Sequence, residues 1–255
     1  MPDALIYLFC GLSGGLLGGY LGLGGGEIIV PFLVVIAGID IKAAVPVSMA
    51  AIVVNSFSAS NQYLKRGMVD LEIVILLGLF LAMGVTTGTN LNVVIPADGI
   101  KLLLTVMLVY TSISLLKGRI TPGKLIFSDN RTKYLMVCLA LVFIVGVLSA
   151  LVGVGGGVFL IPILYLIIGL PLTTARGTTS LMICFASASA TAVYFLYDMI
   201  DLSVVSPVIV GIALGGRVGG FFGTAARPVF VRVLFFIVML YMAYKLAREP
   251  LGKLL

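Results

Sequence analysis

The chain is a series of long apolar segments separated by short polar turns. In its first half the apolar runs cover residues 4–22, 28–37, 43–64, 70–93 and 99–116. A membrane core of about 30 Å takes roughly 20 helical residues, and four of these runs are close to that length. The run at 28–37 reaches only about 15 Å as a helix, which is too short to cross. The pattern therefore predicts an all-α polytopic membrane protein, with one short helix that does not cross the membrane between its longer ones.

A glycine-rich stretch interrupts this pattern twice. GLGGGEIIVP at 22–31 is matched by GVGGGVFLIP at 153–162, which lies 131 residues later (153 − 22). Unwound backbone survives at membrane depth only where protein or a water-filled cavity satisfies its polar groups. Each stretch is therefore interpreted as a re-entrant hairpin, in which one helix descends to the glycines and a shorter one returns.

The same offset aligns residues along the whole chain. Residues that recur at this spacing include Gly15 and Gly146, Gly38 and Gly169, Ser56 and Ser187, Asp70 and Asp201, and Gly84 and Gly215. Small and polar residues that share one register with the glycine stretch indicate an internal duplication. We predict a first membrane repeat at 1–118, a polar linker at 119–132 and a second membrane repeat at 133–255.

The two repeats are predicted to have inverted topology. Each half contains an odd number of crossings, whether a glycine-broken pair counts as none or two. By the bias of basic residues toward the cytoplasm, Lys65, Arg66 and the linker are expected inside, and Asp198 and Asp201 outside. The basic C-terminal tail contradicts this topology, because it favours a cytoplasmic C-terminus. The inverted reading is kept because parity is a geometric constraint and the tail bias is statistical.

Composition agrees with a membrane protein and narrows the function. The 255 residues are 61% hydrophobic and 10% charged, with mean hydropathy +1.24, against about 45–50% and 25% in soluble domains. The net charge of +6 falls mainly in short loops, so it is read as topology information and not as a nucleic-acid footprint. The chain has no histidine and no paired catalytic groups, so neither an enzyme nor a metal or other cofactor is predicted. Tyrosines are the expected interfacial anchors, namely Tyr7, Tyr63, Tyr194 and Tyr241.

The glycine stretches are the first candidate binding site. An unwound glycine segment exposes backbone N–H groups, and the helix that follows has a partly positive N-terminus, so together they suit an anion. Two such breaks facing each other would hold one anion between them. The glycines proposed to bind it are Gly24, Gly25, Gly26, Gly155, Gly156 and Gly157. A dinucleotide loop would need a preceding strand, and close helix packing through small residues is the remaining alternative.

Polar residues at the start of each long helix are a second candidate. Ser48 in the first half corresponds to Thr179 in the second, where Arg176 and Thr178 lie close by. Hydroxyls and free N–H groups at a helix start suit an oxyanion, and an arginine adds a charged donor fork. The alternative is helix capping with a positive interfacial residue.

Further along these helices lies a row of amide and hydroxyl side chains. The row contains, in the first half, Asn55, Ser56, Ser58, Ser60, Asn61 and Gln62, and in the second half Ser187, Ser189 and Thr191. Most are expected to hold helices together, as polar groups do in membranes, and a minority to line the substrate path. Asn55 is included among the predicted substrate-binding residues.

Two charged residues stand within or directly beside apolar segments, and Arg217 is near the middle of its segment. Arg217 lies among glycines, where a charge is costly and usually functional. It is predicted to bind substrate, the alternative being a structural pair with Asp201 or Glu27. Glu27 follows the first glycine run and corresponds to Val158. It is predicted to carry a coupling proton or to tune the charge of the site, or else to face water at a helix N-terminus. Asp70 and Asp201 are expected to be N-terminal acids of helices.

The doubled glycine motif with its proline, the paired segments 44–48 and 175–180, and RGMVDL at 66–71 together resemble the TauE/SafE family of sulfite exporters. The resemblance covers nearly the whole chain. It implies a membrane permease for sulfur-containing anions that leaves its cargo chemically unchanged. Family members often carry Gly-Thr-Ser at the long-helix start. This chain has Gly177-Thr178-Thr179 in one half and Pro46-Val47-Ser48 in the other, which shifts the expected substrate contacts toward the second half.

The sequence thus predicts a secondary transporter that moves sulfite, sulfonates or sulfoacetate by alternating access. An anion channel and a permease for another small anion are the alternatives. The expected partners are a small anionic substrate and the lipid bilayer, with no nucleic acid and with a homodimer left open. The expected location is the inner or plasma membrane, crossed several times.

Overall fold

The computed structural model describes residues 2–21, 24–117, 131–223 and 229–254. This part of the chain forms ten α-helices. They are α1 Pro2–Leu21, α2 Gly26–Val35, α3 Ile41–Lys65, α4 Leu71–Val94, α5 Ala97–Lys117, α6 Arg131–Val152, α7 Gly157–Pro162, α8 Leu172–Leu196, α9 Leu202–Gly223 and α10 Val229–Leu254. A π-helical segment, Ile163–Ile168, continues α7. Residues 22 and 23 of the first glycine stretch and residues 118–130 of the linker region lie outside the described residues.

Several of these helices are long enough to span a bilayer. Five combine sufficient length with sufficient hydropathy within the described ranges, at Ile41–Lys65, Leu71–Val94, Ala97–Ser114, Leu135–Val152 and Leu172–Leu196. The short helix α2, with its ten residues, agrees with the short apolar run predicted at 28–37. The chain is a multi-pass, all-helical membrane protein.

Helix bounds repeat along the chain with the 131-residue offset seen in the sequence. α3 and α8 each contain 25 residues and begin at positions 41 and 172 (172 − 41 = 131). α4 begins at 71 and α9 at 202, while α2 begins at 26 and α7 at 157. Left-handed backbone recurs as well, since Gly67 has φ 64° and its counterpart Asp198 has φ 55°. The duplication therefore extends to local backbone conformation.

Short polar side chains set the starts of these helices. The carboxylate of Asp40 accepts the N–H of Lys42 at 2.8 Å, and that of Asp70 accepts the N–H of Ile73 at 3.1 Å. These are N-cap bonds, which satisfy donors that have no partner inside the helix. Asp201 accepts the hydroxyl and the N–H of Ser203, and these bonds hold the pKa of Asp201 below its usual range. The prediction that Asp70 and Asp201 begin helices is confirmed.

Glycines allow the two halves to pack closely. α1 packs mainly against α9, and α4 packs against α6. A Cβ added at Gly15 would collide with the backbone of Ile212, and one added at Gly146 would collide with the backbone of Leu81. Because Ile212 corresponds to Leu81, the two contacts are related by the same offset. Close helix packing therefore explains these two glycines.

Tyr194 is buried, so its predicted role as an interfacial anchor is wrong. It has no exposed surface, and its hydroxyl donates to the carbonyl of Ala150 at 3.3 Å. The side chain lies inside the bundle because α8 packs against several other helices. Tyr241, in contrast, is exposed on α10.

Candidate functional site

The first glycine break, residues 24–26, separates α1 from α2. Gly24 and Gly25 have φ values of 94° and 89°, a conformation that favours glycine. The Gly25 carbonyl accepts the N–H groups of Ile28 and Ile29, so it opens the first turn of α2. The Asn55 amide of α3 donates to the Gly24 carbonyl at 2.8 Å. The break is thus held open by a cross-helix bond as well as by backbone conformation.

The second glycine break, residues 155–157, has the same construction. Gly155 and Gly156 have φ values of 81° and 75°, and the helix that follows starts at Gly157. Gly153, just before this break, is also left-handed, and its carbonyl accepts the Ser48 hydroxyl at 2.8 Å. Since Ser48 and Asn55 both belong to α3, one helix binds the chain beside both breaks.

The structure brings the two breaks together. A Cβ built on Gly26 would lie 2.6 Å from the Gly153 carbonyl oxygen. A Cβ built on Gly155 would lie 3.3 Å from Cδ1 of Ile52 and 3.5 Å from Cγ2 of Ile183. Both isoleucines are buried, and they occupy corresponding positions in α3 and α8. In this conformation two isoleucine side chains fill the space beside the breaks.

Unpaired polar groups surround each break. The N–H groups of Gly26 and Gly157, in the first helical turns, make no hydrogen bond to a described residue. The buried hydroxyls of Ser56 and Ser149 also lack a partner there. Cβ atoms built on Gly24 and Gly156 would lie 3.7 Å and 3.3 Å from these two hydroxyl oxygens, respectively. Each break therefore has donors available for a ligand.

Ser149 is a residue that the sequence did not single out as part of this site. It stands on α6, and its carbonyl accepts the N–H of Gly153. Its counterpart at the 131 offset is Gly18. A Cβ added at Gly18 would collide with the backbone of Gly25. Because the counterpart has no side chain, a search for repeated polar residues passes over this position.

Glu27 is buried in the first turn of α2. It is 1% exposed, and its Oε1 atom has no hydrogen-bond partner within the described part of the chain. The alternative that this carboxyl faces water is therefore wrong in this conformation, because the surrounding helices cover it.

The start of α8 lies against the turn between α3 and α4. Thr178 accepts the N–H of Asp70 at 3.0 Å, and a Cβ on the adjacent glycine would collide with the Met68 carbonyl. Arg176 is half-buried, and its carbonyl accepts the Ser180 hydroxyl at 2.9 Å. Thr178 is thus engaged at the interface between the halves.

Thr179, the counterpart of Ser48, is buried, and its hydroxyl has no partner among the described residues. The counterpart of the carbonyl that Ser48 binds belongs to Gly22, which lies outside them. The two positions therefore differ in the described structure, since Ser48 bonds across helices and Thr179 does not.

Arg217 lines a cavity of about 270 Å³ between α3 and α9. Asn55, Ser58 and Asn61 also line it, as does Gly216. We call this cavity the recess. Arg217 forms no ion pair with a described residue, so the predicted alternative of a structural pair with Asp201 or Glu27 is not present. The structure therefore brings Asn55 and Arg217, two predicted site residues, into one space.

Several hydroxyls bond within their own helix and do not connect helices. Ser60 donates to Phe57, Ser189 to Ala186 and Thr191 to Ser187, in each case to a carbonyl three or four residues earlier. The prediction that most of this row holds helices together is wrong for these three. The nearest carbonyl on a helix lies within reach of a short hydroxyl side chain and competes with any distant partner.

Two interrupted helix pairs that meet beside two long helices, with donors that have no partner in the described part of the chain, are a feature of many membrane transporters. A family profile described as sulfite exporter TauE/SafE matches residues 7–246. The chain belongs to the TauE/SafE sulfite exporter family.

Named relatives agree with this assignment. A probable membrane transporter of Xylella fastidiosa is 26% identical over 247 residues, which cover 93% of this chain and 94% of the relative. The probable membrane transporter YdhB of Bacillus subtilis is 26% identical over 231 residues, covering 88% and 91%. Sulfite exporter TauE/SafE family protein 3 of Arabidopsis thaliana is 32% identical over 122 residues, or 45% of this chain and 26% of the plant protein. No solved structure gives a significant match.

Proposed function

We propose that the chain is a secondary transporter for small sulfur-containing anions such as sulfite, sulfonates or sulfoacetate. The observation that carries the proposal is the pair of adjacent glycine breaks with unpaired N–H groups and hydroxyls. The substrate class comes from the family, whose description names sulfite export.

The chemistry at the breaks suits an anion. The first N–H groups of a helix have no partner inside it, and the helix dipole adds partial positive charge at that end. The hydroxyls of Ser56 and Ser149 add neutral donors beside the breaks. Such donors bind an oxyanion without a permanent countercharge, so the anion can also leave.

Alternating access requires the breaks to open to each side in turn. The isoleucines Ile52 and Ile183 close the space beside them in this conformation, so we assign it to a closed state. The contacts of α1 with α9 and of α4 with α6 are related by the sequence repeat. Inverted repeats, with α2 and α7 as the short arms of re-entrant hairpins, would rock about these contacts.

The test measures anion binding by thermal stabilisation of the purified protein, since a ligand of the folded state raises the unfolding midpoint with its concentration. The anions are sulfite, sulfate, sulfoacetate and chloride. The test variant is Gly25→Ala, in the first break. Gly38→Ala is the matched control because Gly38 has a similar φ of 70° but nothing within 4 Å of an added Cβ.

We expect sulfite and sulfoacetate to stabilise the wild type and Gly38→Ala, and to stabilise Gly25→Ala much less. Equal responses from both variants would remove the breaks from the binding site. Proteoliposome flux then separates the mechanisms, because a transporter saturates and supports counterflow and a channel does neither. Stabilisation by chloride and not by sulfur anions would reassign the substrate class.

A further inference from the structure

The recess between α3 and α9 has the features of a second anion site. Its walls carry Asn55, Ser58 and Asn61 from α3 and Arg217 from α9. No described carboxylate pairs with Arg217, so the charge of the recess is uncompensated within the described chain. Its volume of about 270 Å³ far exceeds the space that one water molecule needs. The recess therefore has room for a sulfonate-sized group.

The position of Arg217 indicates that the recess contains water. α9 is an apolar helix of 22 residues, and an ionised side chain within a membrane-embedded helix faces the bundle interior or a water-filled cavity. Arg217 is exposed, and its side chain lines the recess. An anion entering this water would meet a guanidinium fork whose two N–H groups bind two oxygens of one oxyanion.

The polar residues of the recess have no equivalent at the duplicated positions. The counterparts of Asn55, Asn61 and Arg217 at the 131 offset are Ala186, Ala192 and Thr86. The hydroxyl of Thr86 donates to a carbonyl of its own helix. The duplicated position therefore lacks the charge and both amides, so the recess is not a by-product of the repeated architecture.

Asn55 connects the recess to the first break. Its side chain, 4% exposed, lines the recess while its amide nitrogen donates to the Gly24 carbonyl at 2.8 Å. Gly216 gives the Asn55 oxygen room, since a Cβ there would collide with it. An anion bound in the recess therefore lies one side chain away from the left-handed glycines that open α2.

We propose that the recess is a binding site for a small oxyanion, with Arg217 as its charged ligand and Ser58 and Asn61 as neutral donors. It is separate from the site between the breaks and serves as a loading site for it. The choice of a sulfur oxyanion as occupant rests on the proposed function. The presence of an anion site rests on the recess itself.

The first experiment measures protection of a thiol placed in the recess. Asn61→Cys is labelled with a membrane-impermeant thiosulfonate reagent, with sulfoacetate as the probe because it does not react with thiols. The native cysteines Cys10, Cys138 and Cys184 are all buried. The control is Lys245→Cys, on the exposed surface of α10. We expect sulfoacetate to slow labelling at position 61 at least about threefold and to leave position 245 unchanged.

The second experiment measures sulfoacetate affinity by thermal stabilisation in charge variants. Arg217→Gln should weaken the binding at least tenfold, which is about 1.4 kcal/mol. Arg217→Lys should recover part of it, since lysine keeps the charge and loses the fork. Arg248→Gln removes the same charge from the exposed end of α10 and should have no effect.

The outcomes separate this proposal from the proposed function. If sulfoacetate does not protect position 61 and Arg217→Gln binds sulfoacetate with unchanged affinity, the recess proposal is overturned. Reduced anion stabilisation of Gly25→Ala would then still support the site at the breaks. Protection at position 61 without sulfur-anion flux in proteoliposomes keeps the recess and overturns the transport proposal. Equal losses in Arg217→Gln and Arg248→Gln reduce the effect to general surface charge and overturn the recess. If Arg217→Gln fails to fold, the labelling experiment decides.

Discussion

The hydroxyl of Ser48 should stabilise the second glycine break, and the chain contains a matched control for it. Ser48 is fully buried and donates to the Gly153 carbonyl at 2.8 Å. Its counterpart Thr179 is equally buried but has no partner among the described residues. We therefore compare Ser48→Ala with Thr179→Val, since each substitution removes one hydroxyl and leaves a side chain of similar or smaller size.

The two substitutions are expected to change the free energy of unfolding differently. A hydrogen bond between membrane helices contributes about 0.6–2 kcal/mol, so Ser48→Ala should lower the free energy of unfolding by about that amount. For a protein of this size 1 kcal/mol shifts the midpoint by about 2–4 °C. Thr179→Val removes a buried hydroxyl whose desolvation no bond offsets, so the midpoint should stay unchanged or rise.

The assay is thermal unfolding in one detergent, with the double variant completing a mutant cycle. Equal losses from the two single variants would refute the reasoning. That result would mean that Thr179 has a partner outside the described residues, and the two breaks would then be held alike. Unchanged stability in Ser48→Ala would instead show that the break does not depend on this bond.

Two further predictions concern backbone strain and proton coupling. Asp198→Gly should raise the unfolding midpoint, because Asp198 has φ 55° at the position where Gly67 stands in the other half. Relief of about 1 kcal/mol of left-handed strain corresponds to a rise of about 2–4 °C. Gly67→Asp is the control and should lower the midpoint. Glu27→Gln should fold normally, because the Oε1 atom of Glu27 has no partner to lose in the described structure, and it should flatten the pH dependence of sulfite flux in proteoliposomes. Flux that keeps its full pH dependence in this variant would exclude Glu27 as the coupling group.

The helix positions could be read from the sequence because their signals are local. The runs predicted at 43–64 and 70–93 became Ile41–Lys65 and Leu71–Val94. Asp70 caps its helix through its own carboxylate, and Gly67 takes the left-handed conformation that ends α3. Each of these effects acts over a few residues, so a single chain suffices to recognise them.

The partners of side chains could not be read in the same way. Tyrosine is typical of membrane interfaces, yet the packing around α8 buries Tyr194. Ser60 and Ser189 look like polar contacts between helices, yet both bond to their own helix. The approach of Ile52 to Gly155 depends on how α3 meets the second break, and no periodicity in either segment specifies that meeting.

The two halves repeat one architecture but carry different side chains beside the breaks. On α3, Ser48, Ile52 and Asn55 stand at i, i+4 and i+7, so they share one helix face, and this face contacts both breaks. On α8 the corresponding residues are Thr179, Ile183 and Ala186, so only the isoleucine is retained. The family resemblance shifted the expected substrate contacts toward the second half.

The described structure also brings side chains of the two halves together. The polar face of α3, from the first half, lies next to Arg217, from the second half, in the recess. A site composed of both halves changes shape when one moves against the other, whereas a site within one half would move as a rigid body. In the proposed transport cycle, an anion bound across this boundary would favour the arrangement of the two halves that binds it more tightly.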